Sequence, residues 1–186
     1  MYKKTIILIT SLFLTSCGVQ TQINENGIIA NGKIKHNQKI GKWTTTKDGK
    51  TFSVGKYKNG KEAGNWKYYY PNGSLHQKGK FINGAGNGTW YYYYSDGNFM
   101  GQGEQRGDKQ IGLWKWYHKN GQPYTERLYE NGKVLEIKSC FDKVGKSLDC
   151  GKLENGNGYI IFHDVEDYKN PPNKLKVENG DIKWNE

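Results

Sequence analysis

The chain has 186 residues, of which 34% are hydrophobic and 14% aromatic, with a formal net charge of +10 and a mean hydropathy of -0.91. Polarity at this level excludes a multi-spanning membrane protein, and 14 Tyr with 6 Trp exclude the aromatic-poor composition of disordered chains. Twenty-five Gly against 4 Pro point to many tight turns, while 2 Met and 4 scattered His offer little material for a metal or cofactor, so neither is expected.

In chain order, Lys3 and Lys4 precede the apolar stretch 6–14, and small residues follow. A charged start and an apolar run too short for about 30 Å of hydrocarbon describe an export leader. Its end, Leu14-Thr15-Ser16-Cys17, resembles the lipobox of bacterial lipoproteins. That resemblance implies cleavage before Cys17 and acylation of Cys17, with residues 1–16 as signal peptide and 17–25 as a lipidated tether. The expected location is the bacterial cell envelope, on the outer membrane or its periplasmic face. Without Lys3 and Lys4 there remain 26 basic and 18 acidic residues, a formal +8. A basic exported chain meets anionic lipids and wall carboxylates, and nucleic acid is not an expected partner.

A repeat follows. Trp43, Trp66, Trp90 and Trp114 are spaced by 23, 24 and 24 residues, each with a Gly two positions earlier. A turn pair follows each Trp: Asp48-Gly49, Asn72-Gly73, Asp96-Gly97 and Asn120-Gly121. Six residues beyond come Gly55, Gly79 and Gly103, with Arg127 in the fourth unit. A second turn then falls at Asn59-Gly60, Asn83-Gly84, Gly107-Asp108 and Asn131-Gly132, and recurs at Asn155-Gly156 and Asn179-Gly180. Asn-Gly and Asp-Gly supply the positive φ values of type I′ hairpin turns. The runs between turns are five to seven residues long and rich in Tyr and Trp, so they predict strands and no helix after the leader. The fold class expected is all-β: an elongated, single-layer antiparallel meander of about twelve strands.

The run Gly64-Asn65-Trp66-Lys67-Tyr68-Tyr69-Tyr70-Pro71-Asn72-Gly73 resembles the variant MORN repeat of bacteria, and Trp114, Tyr117 and Asn120-Gly121 fit it equally well. Proteins of this type include the YwqK-family antitoxins. The resemblance implies a sheet of β-hairpins used for binding or scaffolding, with an antitoxin or immunity-like module that neutralises a toxin as the second possibility. The repeat array is placed at 26–135. Residues 136–186 form degenerate repeats and a cap, with Phe162 where a Trp falls due. Cys140 and Cys150 flank a turn-like stretch, which in an oxidising compartment predicts a hairpin disulfide.

Alternation along the strands puts Trp66, Tyr68 and Tyr70 on one face, with Trp90, Tyr92 and Tyr94, and then Trp114, Trp116 and His118. Tyr69, Tyr93 and Tyr117 form the row opposite. One row is expected to hold the sheet together and the other to bind sugar rings or a partner's apolar side chains. Lys58, Lys61, Lys80, Lys109, Lys133 and Lys152 are expected along one rim. No nucleophile has a His and acid partner at a recognisable spacing, and the acids Asp164, Glu166 and Asp167 fall on a loop. The function expected is that of a non-enzymatic, monomeric, membrane-anchored repeat protein whose sheet binds a protein or glycan partner.

Overall fold

A computed structural model describes residues 18–25, 27–163 and 172–184; Cys17, Asp164, Glu166 and Asp167 lie outside them. The described residues form fifteen strands and no helix. The chain divides into two compact units. The first, up to Ala85, holds β1 (Val19–Glu25), β2 (Ile28–Lys35), β3 (Gln38–Lys47), β4 (Lys50–Lys58), β5 (Lys61–Tyr69) and β6 (Leu75–Ile82). The second holds β7 (Ala85–Tyr93), β8 (Phe99–Arg106), β9 (Lys109–Tyr117), β10 (Pro123–Glu130) and β11 (Lys133–Cys140), then β12 (Gly151–Glu154), β13 (Asn157–Phe162), β14 (Asn173–Glu178) and β15 (Asp181–Lys183).

Strands β1 to β11 follow one another in an antiparallel meander, and β12 to β15 form a second sheet of the same kind. The single twelve-strand sheet expected from the period therefore stops at eleven. Residues Val19–Glu25, expected as tether, form the first strand and pair with β2 over seven residues.

Two kinds of turn alternate, where the sequence predicted one. At Asn59-Gly60 and Asn131-Gly132 both central residues have positive φ, as type I′ requires. At Asn72-Gly73 only Gly73 does. There the Gly73 N–H donates to Tyr70 O, the Tyr70 N–H donates to Ser74 O, and Asn72 Oδ1 accepts the Ser74 N–H at 3.0 Å. Asp96 and Asn120 repeat this, accepting from the N–H groups of Asn98 and Gln122. The dipeptide is the same, but here its first residue works through its side-chain oxygen and only the glycine turns left-handed. The first repeat uses the two-residue form at Asp48-Gly49, being one residue shorter than the others.

The recurring glycines have two separate jobs. Gly41, Gly64, Gly88 and Gly112, two before each Trp, have φ between 66° and 77° inside their strands. They open a bulge, and the ladder shifts register there, as between Val54 and Lys56. The displaced Trp then lays its indole on the glycine eleven residues earlier. Trp43 covers Gly32, Trp66 covers Gly55 and Trp114 covers Gly103, each so close that a Cβ on the glycine would stand about 2 Å from the ring. These indoles are 1–4% exposed, and Trp114 is in addition covered by the second sheet.

The lock lapses at Arg127, where the glycine is due, and Lys138, where the Trp is due. Beyond it the second sheet supplies cover: Trp114, Tyr129, Val134, Ile160, Leu175 and Val177 form one buried cluster. The 24-residue turn register nevertheless persists. The Gly132 N–H donates to Gln110 O, and the Gly156 N–H, one period later, donates to Leu135 O, one residue beyond the exact period. Cys140, at the end of β11, and Cys150, just before β12, form the expected disulfide, with Cα atoms 6.0 Å apart.

Candidate binding face

The tryptophan face is the better packed. In the first unit, Tyr57 stands edge-on to Trp43 and Trp66, with ring centroids 5.9 and 5.3 Å away, and its hydroxyl donates to Glu62 Oε1 at 2.9 Å. Trp66 Nε1 donates to Lys56 O at 3.2 Å and Phe81 closes the other side of the indole. Tyr68 stacks on Trp66, and burial together with the Glu62 charge pushes its hydroxyl up to about 12. In the second unit Trp114 Nε1 donates to Glu104 O, and Tyr92 packs 5.9 Å from Trp114 and 5.3 Å from Trp116.

Among the expected binding aromatics, Trp66, Trp90, Trp114 and Tyr94 are therefore buried and serve the fold. Tyr94 donates to Tyr117 O at 2.7 Å, tying one hairpin loop to the next, and His118, one period later, bonds Phe141 O at 2.8 Å in the same way. Tyr68, Tyr92 and Trp116 are half-buried on the same face, and Tyr70 lies in its loop against His76, with centroids 4.5 Å apart. Tyr69, Tyr93 and Tyr117 occupy the opposite face, as alternation predicts, and are half-buried. Phe99, not anticipated from the sequence, bridges Tyr93 and Tyr117 at 5.8 and 5.4 Å, making a three-ring row across β7, β8 and β9.

The sequence reading missed the most distinctive feature of the first unit. Lys42 is the register partner of Lys56, and Lys67 that of Lys78; Lys80 follows two residues on, opposite Asn65. All five lie on the face opposite the indoles. Lys42, Lys56, Lys67 and Lys80 are exposed, and none of those four makes an ion pair with a described residue. The signal was adjacency: Lys42 and Lys67 are next to a buried Trp in the strand, so they must face away from it. Of the six lysines expected along a rim, Lys80 belongs to this face, whereas Lys58 and Lys61 flank a turn. Beside the field, Tyr69, Val54, Thr51, Lys50, Pro71 and Asn72 line a shallow depression of about 520 Å³.

The described residues contain no group of three His, Cys, Asp or Glu side chains placed to hold a metal. No helix among them is long and apolar enough to cross a membrane. What the arrangement offers is surface: a field of ammonium groups in one unit and a row of rings in the other.

Residues 63–83 and 110–131 match the MORN repeat variant family. These stretches are the β5–β6 and β9–β10 hairpins, each with its bulge glycine, its indole and its five-residue loop. The hairpin between them, β7–β8, carries Gly88 at φ 77° and buried Trp90 in the same register. The chain is thus an all-β protein of repeated hairpins that includes MORN repeat variants. No curated protein matches it.

Proposed function

We propose that this chain is a non-enzymatic binding module of a bacterial cell envelope. In this reading it is held at the membrane through acylated Cys17 and presents the face opposite its indoles to a protein or glycan. The observation that carries this reading is the division of labour between the faces. One face is closed by indoles seated on glycines, with Tyr hydroxyls committed to Glu62 and to Tyr117 O. The other keeps exposed lysines and half-buried tyrosines, with Tyr93 and Tyr117 joined through Phe99. MORN-variant repeats support a repeat-based binding role, and the leader ending in Leu14-Thr15-Ser16-Cys17 supports the tether.

Two measurements test the reading. Wild type should partition with membranes and Cys17→Ser should appear in the soluble fraction; an unchanged distribution refutes the anchor. The purified chain should then retain material from detergent-solubilised envelope, and alanine at Tyr93 and Tyr117 or glutamate at Lys67 and Lys78 should abolish retention. Retention indifferent to both sets of changes refutes the assigned face. Capture of one protein in equal stoichiometry, whose toxicity the chain suppresses, would instead establish the antitoxin-like alternative.

A further inference from the structure

Charge is divided unequally between the two units. Residues 18–85 hold twelve Lys and only three acids, Glu25, Asp48 and Glu62, whereas residues 86–186 hold fourteen Lys and Arg against fifteen acids. The excess is built into the ladder itself. Three equivalent cross-strand positions read Lys67 opposite Lys78, Tyr91 opposite Gln102 and Lys115 opposite Glu126. The last forms an ion pair at 3.0 Å. The first sets two lysines directly opposite one another in the ladder, and Lys42 opposite Lys56 does so again. Like charges directly opposite one another weaken a sheet. Lys42 and Lys56 are exposed and make no ion pair with a described residue, so where the second unit sets an acid opposite a lysine the first leaves charge for an anion supplied from outside.

We infer that the lysine face of the first unit binds an anionic polysaccharide. Phosphate or carboxylate groups along the polymer lie across Lys42, Lys56, Lys67 and Lys80, and a sugar ring packs on Tyr69 in the adjoining depression. This rests on the binding role proposed above and names its ligand class. Three features select the ligand. Lysines paired across strands have backbones about 4.8 Å apart, and Lys78 and Lys80 follow each other by about 6.8 Å along one strand, a two-dimensional field suited to repeated charges. The depression joins a phenol ring and apolar Val54 and Pro71 to the side chains of Thr51 and Asn72, the mixed surface a sugar ring needs and a planar headgroup layer does not enter. Nucleic acid calls for rings interleaved with cations on one face so that bases can stack. Here Trp43, Tyr57, Trp66, Tyr68 and Phe81 pack on one another on the indole face, away from the lysine field.

The test titrates the full-length protein with polygalacturonate and dextran sulfate, with neutral dextran as blank. Phosphatidylglycerol vesicles and oligo(dT) serve as competitors of other classes. The anionic polysaccharides should bind, and dextran should not. Lys67→Glu with Lys78→Glu should weaken binding by about tenfold or more, whereas Lys109→Glu with Lys152→Glu, an equal change in net charge, should stay within about twofold. Should the first pair disturb folding, Lys42→Gln with Lys56→Gln removes charge from the same field. Tyr69→Ala should weaken polysaccharide binding severalfold and leave vesicle binding unchanged. Vesicles or oligo(dT) binding as tightly as the polysaccharides, equal losses in the two lysine pairs, or indifference to Tyr69→Ala each overturn the inference. Retention of an envelope protein through the same face, with every polysaccharide unbound, overturns this inference and leaves the binding role standing.

Discussion

Replacing Gly103 with Ala adds one methyl group, yet it should be among the costliest changes in the chain. The new Cβ would stand 2.0 Å from Trp114 Cδ2, 2.2 Å from Cε2 and 2.3 Å from Cγ. Carbon atoms rest about 3.5–4.0 Å apart, so the indole must retreat by about 1.5 Å. Trp114 is 1% exposed, holds Glu104 O through its Nε1 and is hemmed in by Tyr92, Trp116 and Tyr129, so the ring has nowhere to go. Overpacking costs about 1–3 kcal/mol, and expulsion of the indole would approach the ~3–5 kcal/mol of a Trp-to-Ala truncation; about 3 kcal/mol is expected. Gly112→Ala is the control. Its φ of +67° strains an L residue, but nothing lies within 4 Å, so about 1–2 kcal/mol is expected. Urea unfolding followed by tryptophan fluorescence measures both, and Gly103→Ala in a Trp114→Ala background completes a double-mutant cycle. The reasoning fails if the cycle shows coupling below about 0.5 kcal/mol, or if Gly103→Ala costs no more than Gly112→Ala.

Cys140→Ser should lower stability in oxidising buffer by about 2.7 kcal/mol, from the chain entropy of a ten-residue loop, and should leave stability in reducing buffer nearly unchanged; equal melting in both buffers refutes it. Arg127→Met should be neutral or stabilising, because Arg127 is 5% exposed, its Nε and Nη2 have no hydrogen-bond partner among the described residues, and the Phe162 ring lies 4.7 Å away in compensation; a loss above about 2 kcal/mol refutes it. Backbone N–H groups of Lys146 and then Val144 hold the Asp142 carboxyl below its usual range. A depressed carboxylate stabilises at neutral pH and loses that contribution as pH falls through its folded value, so hydrogen-exchange protection of the 142–146 loop should decline below about pH 4. Asp142→Ala should abolish that acid dependence, and an unaltered profile in the variant refutes the assignment.

The period, the strands and both turn positions were legible because each is written within a dozen residues: a bulge glycine, a Trp, a turn dipeptide. The pairing of Trp114 with Gly103 was legible as spacing but not as contact, since nothing local shows that an indole turns back onto the preceding strand. The two turn types were hidden because Asn-Gly reads alike in both, and flanking length decides between them. In the degenerate hairpin Val144 stands where Asn is due, and the capping oxygen moves to Asp142, a substitution that only the loop geometry reveals. The lysine face was obscured by the bulges, which interrupt simple alternation between Lys56 and Lys67. The end of the first sheet was obscured for the opposite reason. The turn register at Asn155-Gly156 and Asn179-Gly180 continues unbroken while the packing rule changes beneath it.

That change explains why the meander stops where it does. A single layer of strands stays dry on one face only while each indole has a glycine to lie on. With Arg127 where the glycine should be, an indole from β11 has no seat, and with Lys138 where the indole should be, β11 has none to offer. The two departures are complementary, because either alone would leave a crowded ring or an uncovered glycine. Arg127 instead lies under Phe162, the residue at the next tryptophan position, so the periodic aromatic site is kept but is supplied from the second sheet. Tyr129 and Val134, which have no such seat, would otherwise face water. Ile160, Leu175 and Val177, each at most 1% exposed, cover them and contribute about 1.5–3 kcal/mol apiece. The disulfide joining Cys140 to Cys150 sits at the switch, where the chain leaves one packing rule for the other and has least secondary structure to hold it.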